Sequence, residues 1–398
     1  MTVTGRQLGR TALLTLCGLV LLPCALLPAV AIVPVLPWVR LYAFDVVPNW
    51  APWLLVGCVA VLTLAMVAYR RRPSGPTRTM MAVAVLGVLA GTIVVARLWH
   101  VAVTHGARID PLATLSLRDY SEAAAPDATY VYDAPGGEPL ALDVYRPPAA
   151  ARTARAGPVL IMVHGGGFVG GTRRLAAANM RGYAAEGWTV VSVDYRLARP
   201  DRPTWNLAAD DVRCAMAWVA AHARGLHVDP RRLVLNGASA GGNLVLAAAY
   251  THRATRPGCG PVVPAAAAVV ARVPLIDPAA SWTHGGEMQP LQRRLMRAYF
   301  GGSPAEMPGR YRHRDILRRL APGLPPTLIL SAENDPILPI ASARALADRS
   351  AALGNSIRLV VFPYAGHDFN TAFDGIPNQA VRQIVARFLA ENDPGRAR

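Results

Sequence analysis

Residues 232–249 read RLVLNGASAGGNLVLAAA, and this stretch decides the fold. Its first part is a short aliphatic run of the kind that fills a buried strand, and its last part is an apolar helix. Between them lies Gly237-Ala238-Ser239-Ala240-Gly241, a G-x-S-x-G sequence. The pentapeptide alone occurs by chance. Set between a strand and a helix it acquires a mechanical meaning, because a sharp corner there pushes the Ser239 hydroxyl out at the end of a sheet. Small residues at 237, 240, 241 and 242 let such a corner close without side-chain clashes. The competing reading is a glycine-rich turn with an incidental serine, and the flanking chain decides between them.

Upstream, the aliphatic run 159–163 leads directly into His164-Gly165-Gly166-Gly167-Phe168. Acyl transfer passes through a tetrahedral oxyanion, which needs preorganised N–H donors. Consecutive glycines expose such donors and let a carbonyl oxygen come close. Gly166 and Gly167, joined by the N–H of Ala240 just after the serine, are the expected oxyanion hole. Gly165 would shape the turn and His164 would hold it by hydrogen bonding, in preference to serving as a second base. A phosphate cradle is excluded, since the Lys and Ser/Thr of a P-loop are missing.

Serine is a poor nucleophile without a base. Among nine His, His367 in Gly366-His367-Asp368 fits best, because it follows the strand candidate 358–362 and comes last in the order Ser…Asp/Glu…His. The third member should hold the imidazole in its productive tautomer. Asp335 follows the strand candidate 327–330 and lies 367 − 335 = 32 positions before the base, room for one helix and one strand. Glu333 is the rival, being nearer the strand end.

Further strand candidates at 140–145, 189–193, 233–235 and 267–273 alternate with helical patterns at 207–223, 242–250, 341–353 and 378–389. Alternation of this kind predicts an α/β fold, a mainly parallel sheet covered by helices on both faces. Residues 278–322 interrupt it and read as a cap-like segment. They carry eight Arg (293, 294, 297, 310, 312, 314, 318 and 319), either a solvated helical face or a cationic rim.

From about residue 130 the chain resembles the hormone-sensitive-lipase-like branch of the α/β-hydrolases, and is also similar to bacterial acetyl and feruloyl esterases. The stretches that carry the likeness are His164–Phe168, Val193-Asp-Tyr-Arg-Leu197, Asp229-Pro-Arg-Arg-Leu233, Gly237–Gly242, Asp335-Pro336 and Gly366-His367. Two departures stand out: Ala238 occupies the position of the family's acidic residue, and the segment after Leu197, usually rich in Pro and acids, reads Ala198-Arg-Pro-Asp-Arg-Pro-Thr-Trp205. The resemblance implies an α/β-hydrolase fold and hydrolysis of carboxylic esters, including lipid or envelope acyl and acetyl esters, through an acyl-enzyme on Ser239. It implies neither metal nor organic cofactor. The same triad also suits an amide or formamide hydrolase or an acyltransferase, and a catalytically inactive binding protein is the reading from another class.

The first hundred residues are a different physical object. Hydrophobic residues make up 53% of the chain and charged residues only 17%, and the apolar excess sits in 1–103. Three apolar stretches, about 11–37, 51–69 and 79–97, carry no charge before Arg97 at the end of the last, and each is long enough to span a bilayer. A signal peptide is the rival for the first, but its apolar run is too long and lacks a clear small-residue cleavage site. The predicted organisation is a transmembrane anchor over 1–103, a linker over 104–126 and a hydrolase domain over 127–398. Arg70, Arg71, Arg72 and Arg78 between the second and third stretches mark a cytoplasmic loop, whereas Arg40 and Asp45 would lie in the opposite connection. The N-terminus is then cytoplasmic and the hydrolase domain lies outside a plasma membrane. All 41 basic residues are Arg and the net charge is +16, yet no basic stripe interleaved with aromatics supports nucleic-acid binding. The expected partners are the bilayer and a small or lipid ester. Of five Cys, only Cys214 and Cys259 fall in the hydrolase part. No metal-type spacing occurs, and pairing of these two depends on an oxidising compartment.

Overall fold

A computed structural model describes residues 27–33, 37–71, 73–116, 125–151, 155–251, 259 and 262–395 of the chain. Eight strands form one sheet in the order β1-β2-β4-β3-β5-β6-β7-β8. They are β1 Ala128–Asp133, β2 Leu140–Tyr145, β3 Gly157–Val163, β4 Thr189–Val193, β5 Val228–Ala238, β6 Ala268–Arg272, β7 Thr327–Ala332 and β8 Ile357–Phe362. The pairs β4–β3, β3–β5, β5–β6 and β6–β7 are parallel. Strands β1 and β2 add an antiparallel edge. Almost wholly buried, β3, β4 and β7 read as near-continuous apolar runs, interrupted by buried Ser192 and Ser331, as parallel strands under helices do. Strand β1, Ala-Thr-Tyr-Val-Tyr-Asp, has three exposed residues and only Tyr132 buried, and it lacks the aliphatic run that marks the central strands.

The sheet register is what positions the site. Val163 pairs with Gly237, and Gly237 with Ala271. The glycine loop after β3 and the serine turn after β5 therefore start side by side.

The helices are α1 Pro37–Arg71, α2 Gly75–Thr104, α3 Ala177–Ala185, α4 Ala208–Ala221, α5 Ala223–Leu226, α6 Ala240–Ala249, α7 Pro278–Thr283, α8 Gln289–Phe300, α9 Pro308–Arg314, α10 Ile340–Ala352 and α11 Ile376–Glu391. Two of them, over Tyr42–Arg71 and Gly75–Thr104, are long and apolar enough to cross a membrane. The stretch expected as a first span lies largely outside the described residues, of which 27–32 are helical. The expected span 51–69 is the later part of a helix that already begins at Pro37, so Arg40 and Asp45 belong to α1 and not to a connection. Ser74 caps α2 with a capping box, its hydroxyl accepting from Thr77 N and the Thr77 hydroxyl accepting from Ser74 N. Residues after α2 are packed, with Ala107 and Ile109 buried and Asp110 N donating to Gln379 Oε1 at 2.9 Å.

The chain forms two compact units. The larger holds Arg118–Ser331, Asp335–Val361 and Arg382–Arg398, and the smaller holds Met1–Leu117, Ala332–Asn334 and Phe362–Val381. In the larger unit Cys214 of α4 is joined to Cys259 by a disulfide.

Candidate active site

Ser239 sits on the turn between β5 and α6 with φ 54° and ψ −117°. A side-chain-bearing residue rarely adopts this region, and the strain persists only where surrounding structure over-determines it. Here the determinants are backbone contacts. Ser239 N donates to Arg272 O at 2.8 Å, and Asn243 N donates to Ser239 O at 3.2 Å. Gly241 has no room for a side chain, since a Cβ there would drive into the carbonyl oxygen of Val163. Asn243, fully buried one turn into α6, donates to Leu275 O at 2.7 Å and accepts from Arg314 Nη2 at 2.9 Å.

The glycine loop lies against this turn. A Cβ on Gly165 would sit 3.3 Å from Ser239 Cβ and 3.2 Å from Ala238 O. Gly166 and Gly167 adopt φ 109° and 61°. Among the described residues their N–H groups make no bond to another main-chain oxygen. Ala240 opens α6, so its N–H has no acceptor within the helix. Leu295 of α8 packs over Gly167, and Phe168 stacks on Tyr299 with ring centroids 3.7 Å apart. The cap-like segment thus supplies an apolar roof over the loop.

His164 is buried, stacks on Tyr195 at 4.4 Å, and its Nδ1 lies 2.7 Å from Gly165 O. Burial holds its imidazole below the ordinary histidine pKa. The neutral ring donates from Nδ1 to that carbonyl, which fixes the first peptide of the loop. Tyr195 adds a hydroxyl donated to His164 O at 3.1 Å.

Asp335 is buried, whereas Glu333 is exposed. The Oδ1 of Asp335 accepts from Ile337 N at 2.8 Å and Leu338 N at 2.9 Å, and its main-chain oxygen accepts from His284 Nε2 at 3.0 Å. Two N–H donors lock the carboxylate's direction. Glu333 has no such orientation on its solvated side chain. Its N–H donates to Phe362 O at 3.0 Å.

Ser239, the glycine loop and Asp335 belong to the larger unit, and His367 belongs to the smaller. His367 is half-buried on the turn after β8. The N–H groups on either side of it are taken by α1: Gly366 N donates to Phe44 O at 2.7 Å and Asp368 N to Asp45 Oδ1 at 3.0 Å. Sequence reasoning missed these α1 residues. The available signal was the polar pair Asp45 and Asn49, spaced one helical turn apart in an otherwise apolar stretch.

The eight Arg of the cap-like segment do not form a uniform solvated face. Arg314 is buried against Asn243, Arg319 donates to Thr251 and to His313 O, and Arg310 donates to Phe300 O at 2.7 Å. Arg293 and Arg297 lie over the Trp282 ring, Arg297 also reaching Glu306, and Arg318 pairs with Asp315. Arg294 and Arg312 are exposed. Half of this charge, on Arg293, Arg310, Arg314 and Arg319, is partly or wholly buried and braces the segment from within.

A family profile described as the alpha/beta hydrolase fold matches residues 160–371. The chain is 31% identical over 265 residues to the esterase LipQ of Mycobacterium tuberculosis, a match covering 64% of this chain and 60% of that protein. It is 31% identical over 240 residues to the ethyl acetate hydrolase of Pseudomonas putida, covering 58% of this chain and 72% of the relative. The butyrate-bound esterase of Thermogutta terrifontis superimposes with a TM-score of 0.57 at 24% identity, covering 71% of this chain and all of that one. The match thus spans only about 60% of the length of the mycobacterial relatives LipQ and LipC.

Proposed function

The chain belongs to the α/β-hydrolase family, and from that premise we propose that it is a membrane-anchored serine carboxylesterase. The observation that carries this reading is the strained Ser239 turn set in register beside the glycine loop, whose donors face no main-chain partner. Relatives named esterase and ethyl acetate hydrolase support the choice of an ester.

In this mechanism Ser239 Oγ attacks the ester carbonyl while His367 accepts its proton. The C=O π pair moves onto oxygen, and the N–H groups of Gly166, Gly167 and Ala240 stabilise that oxyanion. Collapse expels the alcohol, which takes the proton back from His367. Water, activated by the same imidazole, then attacks the acyl-enzyme and releases the acid. Asp335 orients the imidazole and stabilises its protonated form. The test uses the full-length protein in detergent, with a fluorophosphonate probe and short activated esters. Wild type is expected to be labelled and active, and Ser239→Ala to lose both. An alanine variant that kept more than a few per cent of turnover would remove Ser239 from the nucleophile's role.

The finer part of the proposal is location: the hydrolase part faces away from the cytoplasm. Arg70, Arg71, Arg72 and Arg78 fall close together in the sequence, Arg70 and Arg71 in the last turn of α1 and Arg78 near the start of α2, and short loops with such excess resist translocation. The opposite ends of both helices carry the contacts to the segment 366–379, through Phe44, Asp45 and Asp110. The Cys214–Cys259 disulfide suits an oxidising compartment. An alkaline phosphatase fused to the C-terminus in a bacterial host should be active. An inactive fusion, with a bright C-terminal green fluorescent protein, would reverse the orientation.

A further inference from the structure

We propose that the apolar helix α1 is more than a tether: its Phe44, Asp45 and Asn49 form a clamp that positions the histidine of the catalytic turn. The inference rests on the reading of His367 as the general base.

The clamp begins with a proline. In an α-helix the carbonyl of residue 44 receives the N–H of residue 48. Residue 48 is Pro, inside α1, and has no N–H to give. The carbonyl of Phe44 is thereby left over, and Gly366 N fills it at 2.7 Å. One residue on, the Asp45 carboxylate accepts from Asp368 N at 3.0 Å. One helical turn further, Asn49 is buried and uses both ends of its amide. Its Nδ2 donates to Asp368 O at 2.8 Å and to Asp45 O at 2.7 Å, and its Oδ1 accepts from Ala372 N at 3.0 Å. The main-chain N–H groups of both residues flanking His367 are thus bonded to one helix.

The approach leaves no slack. A Cβ on Gly366 would come 2.5 Å from Asp45 Oδ1 and 3.0 Å from Phe44 Cβ. A polar pair placed in an apolar helix costs insertion free energy unless it lies at the water boundary or finds partners, and here it finds the main chain of one short loop. Asp45 is the only carboxylate between residues 1 and 109. It and Asn49 are positioning residues: they fix the main chain from which the imidazole projects, and a small misplacement of a reacting group is expensive in rate.

The experiment uses the full-length protein in detergent micelles, with Asp45→Leu, Asn49→Leu and Asp45→Asn. The two leucine variants should lower kcat by about 10–100-fold with KM within about twofold, while the melting temperature and the total fraction of Ser239 that a fluorophosphonate finally labels stay near wild type. Asp45→Asn keeps an acceptor oxygen for Asp368 N and should recover most of the rate. Should the leucine variants fail to fold, Gly366→Ala tests the same contact by a smaller displacement and should lower kcat in the same way. Wild-type kcat in the leucine variants, or a loss that merely tracks unlabelled protein, would overturn the clamp. His367→Ala separates the two levels. If it retains turnover the base assignment itself falls, and if it is inactive while the clamp variants are normal, only the positioning role falls.

Discussion

Ser239 and His367 each sit on a turn beyond the end of a strand, and the two turns are held by opposite means. The serine turn is closed by its own neighbourhood. Its strained φ and ψ are set by Arg272 O and Asn243 N and by the absence of side chains at Gly237, Gly241 and Gly242, all within about forty residues. The histidine turn is held from more than three hundred residues away, by a helix whose composition is that of a membrane span. A nucleophile fixed by backbone packing is rigid for as long as the sheet is folded. A proposed base fixed by a helix from the far end of the chain is rigid only while that helix is in place. The proposed nucleophile and the proposed base therefore depend on different parts of the molecule for their precision, and substitutions can separate those dependences.

The largest effect expected outside the serine itself belongs to the carboxylate. Asp335→Asn should reduce kcat by roughly 10³–10⁴-fold, since the imidazole loses the partner that selects its tautomer. Glu333→Gln, on an exposed side chain, should leave the rate within about twofold. Steady-state kinetics on both variants decide the matter, and the reverse ranking would move the acid to Glu333.

Next comes a pair of glycines, one on each turn. Gly241→Ala drives a methyl group into the backbone carbonyl of Val163, which cannot yield without moving the sheet, and should cost about 3 kcal/mol of stability. Gly366→Ala meets the tip of Asp45, which can rotate away, so the fold should survive. The rate should nonetheless fall about tenfold, as expected of a misplaced base. Thermal melts and kcat measured together expose the contrast. A large drop in melting temperature for Gly366→Ala with normal turnover would erase the distinction between the two turns.

How much could be read from the chain alone follows the same division. The strands at 140–145 and 189–193 are found at those limits, and the serine turn and glycine loop fall where the aliphatic runs of β5 and β3 end, because each is a local pattern. Strand β1 escapes a search for aliphatic runs, since its apolar residues are Ala128, Tyr130, Val131 and Tyr132 and only Tyr132 is buried. The cap-like segment was legible as a break in alternation, but not the inward use of its arginines, because Arg314 reaches Asn243 across 71 positions. Asp45 looked like loop punctuation between two spans. Its partner Asp368 lies 323 residues on, a separation no periodicity or motif records.

A smaller effect concerns His164 on the glycine loop. Burial holds its pKa down in the folded protein, so the unfolded chain binds the extra proton as pH falls below about 6.5. Stability linked to this group is therefore complete above that pH and is lost on acidification until the folded-state pKa is reached. The slope contributed by one proton is at most about 1.4 kcal/mol per pH unit. Denaturant titrations between pH 7 and pH 5 should show a shallower decline in His164→Asn than in wild type. Equal slopes would mean that other groups carry the acid sensitivity.

The smallest expected effect is the one most particular to this molecule. Pro48→Ala supplies α1 with the N–H that Phe44 O lacks, so an intrahelical bond competes with the bond from Gly366 N. The helix itself should gain, because proline in a helix interior costs about 3 kcal/mol relative to alanine. The turn carrying His367 should lose one of its fixed points while keeping those from Asp45 and Asn49. A more stable anchor with a slower enzyme is the expected combination, kcat falling about two- to fivefold, as befits the loss of one neutral hydrogen bond of about 0.5–1 kcal/mol. Destabilisation alone cannot produce that pairing, since it would lower the melting temperature along with the rate. Measurement of both on the full-length protein decides: a rate that rises or stays constant once α1 can make that bond would show that the leftover carbonyl of Phe44 has no bearing on the base.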